Sequence, residues 1–384
     1  MINTMGIIYT TKDDLTLREM TASRAVAALP VAGRYRMIDF VLSNMVNSGV
    51  RNVGVIMQKN YHSLMDHLGS GKEWDLHTRN DGLRILPPFL TRENVGEYSG
   101  NIDALRSNAG FLRRSRQEYV ILSASHTVFN TTYYDMLAEH IRSNADITMM
   151  YVKARPSDID YSVASNESHA FADIDETGRV LEIEVNPNVA SYPNYLMDVL
   201  IVKRTLLLHL VDQAYSHGMH DMNCDLLRRY VQAGLLRVQG YEFKGYHRRI
   251  ETVKSYFGFN MDVINSDVRQ ELFKKNPVYT KVRDEVPARY YPGAKVENSL
   301  VADGCIIEGE VENCVLFRGV KVSKGAKVKN CVLMQNTSKM LDHNVLVRKA
   351  EGIETAGSLN ILFSDKTGTI TKGHLEVVEF FTAD

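Results

Sequence analysis

The sequence predicts an α/β fold in which a domain built on a mostly parallel sheet precedes a parallel β-helix that stops short. Two observations carry this. From Met1 to about Tyr256, strand-like and helix-like segments alternate, which argues for parallel βαβ units covered on both faces. Further on, one short pattern recurs as VENSLV at Val296, VENCVL at Val311 and VKNCVL at Val328, spaced 15 and 17 residues apart. Repeated short β units with glycine at the corners suggest stacked coils. The expected divisions are 1–256 for the sheet domain, 257–293 for a connector, 294–336 for the coils and 337–384 for a tail of different character.

Each element has its own warrant. GIIYT and NVGVIM are short apolar runs that suit buried strands, and NYHSLMDHLG after the second suits a helix. YVILS is the next strand. It precedes YYDMLAEHIRS, where Met136, Leu137 and Ile141 fall at helical spacing and define the expected buried face. ADITMMYV returns as a strand, and HAFADIDETGRVLEIEV reads as a hairpin turning at ETGR. The connector carries Pro277, Pro287 and Pro292. In the coils each repeat offers an inward Val, an Asn, a small Ser or Cys, then two aliphatics, with Gly304, Gly309, Gly319 and Gly325 at the turns. Cys314 and Cys331 stand where Ser299 stands in the first copy, so packing explains them better than reactivity.

Composition bounds the function. The chain has 384 residues, more than one hydrophobic core usually covers. With 44% hydrophobic and 24% charged residues it is ordinary for a soluble globular protein. A net charge of −1 gives no electrostatic case for nucleic acid or a membrane surface as partner. MINTMGIIYTTKDD has no basic region and only a short apolar run, so no secretory signal is expected. YLMDVLIVKRTLLLHLV is too short and too charged to span a bilayer, being broken by Asp198, Lys203 and Arg204. Cys224, Cys305, Cys314 and Cys331 have no zinc-like spacing and make no disulfide framework. The expectation is a reduced, cytoplasmic, multi-domain protein.

The stretch YVILSASHTVFN poses the functional question. In an open α/β sheet, ligands sit beyond the carboxyl ends of the strands. A nucleotide-handling enzyme needs a carboxylate there to hold magnesium. This strand ends on Ser125 and His126, with no Asp or Glu from Val120 to Tyr134.

TASRAVAALPVAGRYRMIDFVLSNMVNSGV, from Thr21 to Val50, closely resembles a block of the bacterial ADP-glucose pyrophosphorylases, the nucleotidyltransferases that make ADP-glucose for glycogen synthesis. QKNYHSLMDHLGSGKEWDL, GNIDALRSN, LSASH, the strand pair around Glu184 and GYHRRIETVKSYFGFNMD extend the resemblance from residue 1 to about 335. It implies a nucleotidyltransferase-like, Rossmann-like domain and a truncated left-handed β-helix.

Departures from the family pattern bear on its chemistry. The family's phosphate-cradling glycine-rich loop reads YTTKDDLTLREM here. There is no glycine between Gly6 and Gly33, and Asp13 and Asp14 add repulsion toward an anion. The family's lysine after the Arg24-like position is Val26. Its metal-holding aspartate in LSGDH is Ser125, its sugar-phosphate lysine in EKP is Asn186, and its second metal aspartate is Arg249. The TAD of its GTADA motif reads Asn101-Ile102-Asp103, so that block survives in part. An arginine in place of a metal-binding carboxylate repels the cation. This pattern resembles the non-catalytic GlgD-type subunit. That implies no metal, cofactor or catalytic residue of its own, a catalytic partner subunit binding Mg²⁺ and ATP, a heterotetramer and a regulatory role.

The resemblance places Arg24, Arg34 and Arg36 near a site for anionic sugar-phosphate effectors, since a guanidinium fork suits phosphate. The plainer reading is a solvated face or an ion pair, for instance with Asp39. Gln58 matches a family glutamine near the adenine, against a surface polar residue. His126 reads as a hydrogen-bonded structural histidine, and Arg113, Arg114 and Arg116 as a solvated helix face. The rival from the enzyme class is an active glucose-1-phosphate adenylyltransferase with relocated metal ligands, Asp103 or Asp173. A free-standing sugar-phosphate sensor is another reading. Ser364-Asp365-Lys366-Thr367-Gly368-Thr369 is close to the phosphorylation motif of P-type ATPases, and that match spans about residues 337–384. The rest of that family's machinery is absent from this chain, so Asp365 is expected to stay unphosphorylated and the tail to be a chimeric, weakly ordered fragment.

Overall fold

The computed structural model describes residues 3–10, 17, 20–58, 60–78, 81–88, 98–153, 169–335, 338–339 and 346–347. Asp13, Asp14 and most of the loop that replaces the glycine-rich one lie outside the described residues, as does Asp365 with its motif. The chain divides into two compact units. The first takes residues 1–29, 37–252 and 272–279, and the second takes 30–36, 253–271 and 280–384.

The first unit is built on nine strands: β1 (Thr4–Tyr9), β2 (Asn52–Ile56), β3 (Gly82–Leu86), β4 (Tyr119–Ala124), β6 (Ile147–Lys153), β7 (Ala170–Ile174), β8 (Val180–Val185), β9 (Asn194–Lys203) and β10 (Val238–Glu242). A separate short strand, β5 (Thr127–Phe129), pairs with β11 (His247–Arg249). The centre, in the order β4-β1-β2-β3, is parallel as expected. β9 then pairs antiparallel with both β4 and β6, and the β7–β8 hairpin is antiparallel too. Alternation along the strands makes two cores. Met5, Ile7, Val120 and Leu122 join the core on one face, while Ile8, Val53, Val55 and Ile121 join the core on the other. That two-sided burial is why these strands read as unbroken apolar runs.

Helices cover the sheet. α1 (Met37–Asn47) buries all but its last residue, and its Asp39 accepts from His67 of α2 (His62–Leu68) at 2.5 Å. α3 (Asn101–Ser107) and α4 (Ala109–Arg114) precede β4. In α5 (Tyr134–Ser143) the expected apolar face needs one correction. Met136, Leu137 and His140 are buried, whereas Ile141 is 55% exposed. His140 takes its place because its ring nitrogen finds Thr148 Oγ1 at 2.8 Å, so a polar side chain is buried with a partner. α6 (Arg204–Ser216), a π-helical turn at Met222–Leu227 and α7 (Arg228–Gln232) complete the unit.

In the second unit the repeats form coils, with each strand pairing in parallel with its counterpart one coil on. β12 (Arg289–Tyr290), β13 (Lys295–Glu297) and β14 (Leu300–Val301) are followed by β15 (Ile306–Ile307), β16 (Glu310–Glu312) and β17 (Val315–Leu316). β18 (Lys321–Val322), β19 (Lys327–Lys329) and β20 (Val332–Leu333) form the third set. The arrangement is that of a parallel β-helix. Cys314, Cys331, Val311 and Val328 line its core. Asn298, Asn313 and Asn330 take left-handed φ of 40°, 54° and 51°, and their amides stack with Asn298 donating to Asn313 at 3.0 Å and Asn313 to Asn330 at 2.6 Å. Gly309 is obligatory, since a Cβ there would stand 2.2 Å from the Ala326 carbonyl oxygen.

The connector holds two helices that its prolines do not announce, α8 (Val253–Asp262) and α9 (Ser266–Phe273). Within the second unit α8 clasps the hairpin of Pro30–Val31 and Tyr35–Arg36. The Tyr256 hydroxyl donates to the Pro30 carbonyl at 2.6 Å, and Asn260 Oδ1 accepts from the Ala32 N–H at 2.9 Å.

Candidate functional site

The candidate site lies at the carboxyl end of β4, the strand that ends in Ser125 and His126. β9 carries a bulge, with Leu196 opposite Tyr151 and Leu200 opposite Met149, and inside it Asp198 has a left-handed φ of 55°. Val199 pairs with Ser123, so Asp198 falls beside the strand end. β11 pairs with β5 so that Arg249 faces Thr127, and the Ile250 N–H donates to the His126 carbonyl at 2.8 Å. Two neighbouring pairings thus bring together residues far apart in sequence.

What they bring together is a buried ionic network. Arg249 Nη1 donates to Asp198 Oδ2 at 2.9 Å, and its Nε donates to Glu251 Oε1 at 2.5 Å. The Arg249 and Asp198 side chains are only 9% and 6% exposed. Asn223 Nδ2 holds the other Asp198 oxygen at 2.8 Å. His126 Nε2 lies 3.3 Å from Asp198 Oδ2 and His169 Nε2 lies 3.4 Å from Glu251 Oε2. Tyr195 stacks on His169, and its ring lies 5.6 Å from the Arg249 guanidinium carbon.

Burial by itself pushes the Asp198 carboxyl up, but the Arg249 guanidinium, with His126 and Asn223, holds it below the usual carboxylate range. Glu251 behaves alike: burial raises it, and Arg249 with His169 brings it below the ordinary value. His169 is pushed down by burial, which outweighs the pull of Glu251. Burial also pushes the Tyr195 hydroxyl well up. Both acids are therefore charged, and the guanidinium between them is their counter-ion.

The positions singled out in the sequence fare differently. Val26 is buried in a short 3-10 turn, Val26–Ala28, at the place where the resemblance leads one to expect a lysine. Ser125 is fully buried, and its Oγ has no hydrogen-bond partner among the described residues. Asn186 has a left-handed φ of 50° and closes the β7–β8 hairpin. Its side-chain oxygen accepts from the His169 N–H at 2.7 Å, and its own N–H donates to the His169 carbonyl at 2.8 Å. Gln58 follows β2 and is half-buried.

The alternative ligands, Asp103 and Asp173, do not join the network. Asp103 accepts from the Ser99 N–H at 3.0 Å, and Asp173 lies on β7. His126 is buried with its Nε2 3.3 Å from Asp198 Oδ2, where it helps hold that carboxyl below the usual range. Arg113 and Arg114 are exposed, with Arg113 donating to Asp212 at 3.2 Å, and Arg116 lies beyond the end of α4.

These residues do not fit a divalent ion. A hydroxyl and a guanidinium stand where the resemblance places two acids, and the nearby carboxylates are both engaged by Arg249. Among the described residues no three of His, Cys, Asp and Glu gather in a metal-holding group.

Arg24 stays in the first unit, in the turn closed by its N–H to the Thr21 carbonyl at 3.3 Å. Arg34 and Arg36 sit on the hairpin of the second unit. Arg34 is exposed, its guanidinium carbon 5.7 Å from the Tyr35 ring, and Arg36 is half-buried. In the same unit Arg318 is 6% exposed, and its Nε has no hydrogen-bond partner among the described residues. Burial pulls its pKa down. Glu285 and Asp303 oppose the shift, while Arg283 and Arg34 add to it.

Sequence reasoning missed Asp198, Glu251, His169 and Arg318. Asp198 did leave a trace, as a lone acid inside the apolar strand YLMDVLIV.

With fold and site established, comparison with known proteins defines the class. A family model described as Nucleotidyl transferase matches residues 16–266, and another described as GlmU-like, C-terminal hexapeptide matches residues 287–350. The chain belongs to the nucleotidyl transferase family, on the branch that holds the glucose-1-phosphate adenylyltransferases and GlgD proteins of glycogen biosynthesis. It is 36% identical to the Glycogen biosynthesis protein GlgD of Bacillus subtilis over 326 residues, which covers 85% of this chain and 82% of that one. The Geobacillus stearothermophilus GlgD is 34% identical over 329 residues, with 84% and 82% covered. The Glucose-1-phosphate adenylyltransferase of the same organism is 33% identical over 319 residues, with 82% and 80% covered. Relatives of both names are similar to this chain, so the choice between them rests on its own site.

No helix among the described residues is long and apolar enough to cross a membrane.

Proposed function

We propose that the chain is a cytoplasmic, catalytically silent regulatory subunit of ADP-glucose pyrophosphorylase, which modulates a catalytic partner in a hetero-oligomer, a heterotetramer. The buried Asp198–Arg249–Glu251 network carries the reading. Nucleotidyl transfer leans on a divalent ion to neutralise charge developing on the phosphates. Here a fixed guanidinium takes up the carboxylates near that place, Val26 is apolar, Ser125 is fully buried, and the Asn186 side-chain oxygen is engaged by the His169 N–H. Magnesium and ATP then belong to the partner. Coupling between such subunits works by shifting a shared conformational equilibrium and is reciprocal.

Support for an effector role comes from the second unit, where Arg34, Arg283 and Arg318 lie near Glu285 and Asp303. Three guanidiniums against two carboxylates leave net positive charge, which suits the phosphate of a sugar-phosphate effector. The coils are read as left-handed on the family resemblance, and the tail from residue 337 as a fused fragment. The second reading, an active adenylyltransferase with relocated ligands, is favoured by one observation: Asp198 supplies a carboxylate beside the strand end.

Co-expression with a catalytic subunit separates the two readings. The regulatory one expects no ADP-glucose from the purified chain with ATP, glucose 1-phosphate and Mg²⁺. It expects a stable complex whose activity and sugar-phosphate response differ from those of the catalytic subunit alone, the response being blunted by Arg318→Ala. Steady turnover by the isolated chain, lost on Asp198→Asn, would overturn it.

A further inference from the structure

α5 carries a second apolar stripe besides the face that Met136, Leu137 and His140 turn to the core. Tyr134 is 47% exposed and Ile141 is 55% exposed, and the exposed Ala138 lies between them. Spacing of i, i+4 and i+7 sets the three in one line along the helix. Asp135, in the first turn, and Arg142, in the last, stand beside that line on a common flank, because seven residues make two turns. Both are exposed. Their order along the axis suits the helix dipole, but the dipole does not ask them to flank an apolar stripe. Asp135 forms no ion pair among the described residues. Arg142 donates to Glu139 through Nε at 3.1 Å and Nη2 at 2.7 Å, which leaves the Nη1 arm of a 76% exposed side chain for a further acceptor.

We propose that α5 is a contact between two copies of this chain, packed antiparallel about a two-fold axis beside Ala138. Tyr134 of each copy then lies on Ile141 of the other, and Ala138 faces its own counterpart, where its small side chain lets the helix axes come close. A two-fold of this kind reverses the helix direction and keeps the charged flank on the same side. Asp135 of each copy therefore meets Arg142 of the other, and the pair forms twice. A parallel pair would bring neither charge to its opposite. The self-complementary charge order selects a second copy as the occupant, in one orientation.

A ten-residue helix against its copy covers less than the ~1,200–2,000 Å² of a standard interface, so the dimer is weak. Its dissociation constant is expected on the order of 10 µM. This goes beyond the proposed function, and its test uses the chain with no catalytic subunit present.

Sedimentation velocity on the full-length chain from about 1 to 200 µM reads the association. The wild type is expected to pass from monomer to dimer over that range. Asp135→Arg and Arg142→Asp should each weaken the dimer about tenfold or more, because each sets like charges together. The double swap should bring it back to within about threefold of wild type. Ile141→Asp should abolish it, and Ile141→Ser reads the same contact if the aspartate variant does not fold. With a short bismaleimide, Ala138→Cys should cross-link to itself, whereas Ser216→Cys, exposed on α6, should not.

A chain that stays monomeric at about 200 µM overturns the inference. So does a dimer that Ile141→Asp and Ile141→Ser leave unchanged, a double swap as weak as the single ones, or Ser216→Cys that cross-links as well as Ala138→Cys.

Discussion

A double-mutant cycle on Asp198 and Arg249 probes the network directly. Arg249 donates to both acids, so Arg249→Ala takes away the guanidinium that Asp198 and Glu251 share. Removing one partner of a buried pair typically costs about 3–5 kcal/mol. Asp198→Gly costs less, because Arg249 keeps Glu251 and glycine relieves about 1 kcal/mol of left-handed backbone strain. Asp198→Ala loses the same pair without that relief and should be about 1 kcal/mol worse than glycine. The double variant removes one charge of each sign and leaves Glu251 beside His169. Its cost should fall short of the sum of the singles by about 2 kcal/mol, as contacting residues do.

The chain's single tryptophan, Trp74, is 1% exposed in the first unit, so its fluorescence reports urea unfolding of that unit. With a slope of about 3 kcal/mol per molar urea, Arg249→Ala should lower the midpoint by roughly 1–1.7 M. Costs that add to within about 0.5 kcal/mol would show that the ion pair is incidental.

Three further outcomes follow from other parts of the fold. Asp198 and Glu251 titrate lower in the folded chain than unfolded, so their contribution is full above about pH 4.3 and is lost as pH falls below it. His169 is also lowered, so its contribution is lost as pH falls below about 6.5; midpoints measured from pH 7 to 3 should decline in two stages, and Glu251→Gln should flatten the second. In the coils, Asn313→Ala loses both its ladder bonds and its tolerance of φ 54°, and should cost about 1–2 kcal/mol, whereas Asn313→Gly should cost less, as read by circular-dichroism melts. Tyr256→Phe removes the donor to the Pro30 carbonyl and should destabilise by about 1 kcal/mol and raise proteolysis at the Pro30–Arg36 hairpin; unchanged cleavage there would mean that the clasp does not hold it.

What could be read from the sequence follows from what is periodic or local. Apolar runs such as GIIYT and NVGVIM announce strands buried on both faces, because alternate residues feed two cores. The VENCVL pattern announces coils, because each position recurs at the same corner and Asn accepts the left-handed turn more readily than most residues. α8 and α9 went unread because the connector was judged by its three prolines, all of which follow α9, and Ile141 was misplaced because spacing cannot see that His140 has Thr148 waiting. The site was legible only as a set of losses. On the family resemblance, Ser125 and Arg249 stand where two acids are expected. What replaced them does not show, because Asp198 meets Arg249 only through a bulge in β9 and the pairing of β11 with β5. An isolated arginine in that place would be a buried unpaired charge, which no fold keeps without compensation. A lone acid inside an apolar strand and a stray arginine 51 residues later are each unfavourable alone, and the structure pairs them, with Glu251 as a second acid on the same guanidinium. Arg249 therefore depends on Asp198 and Glu251 together, and losing both acids should cost more than losing either.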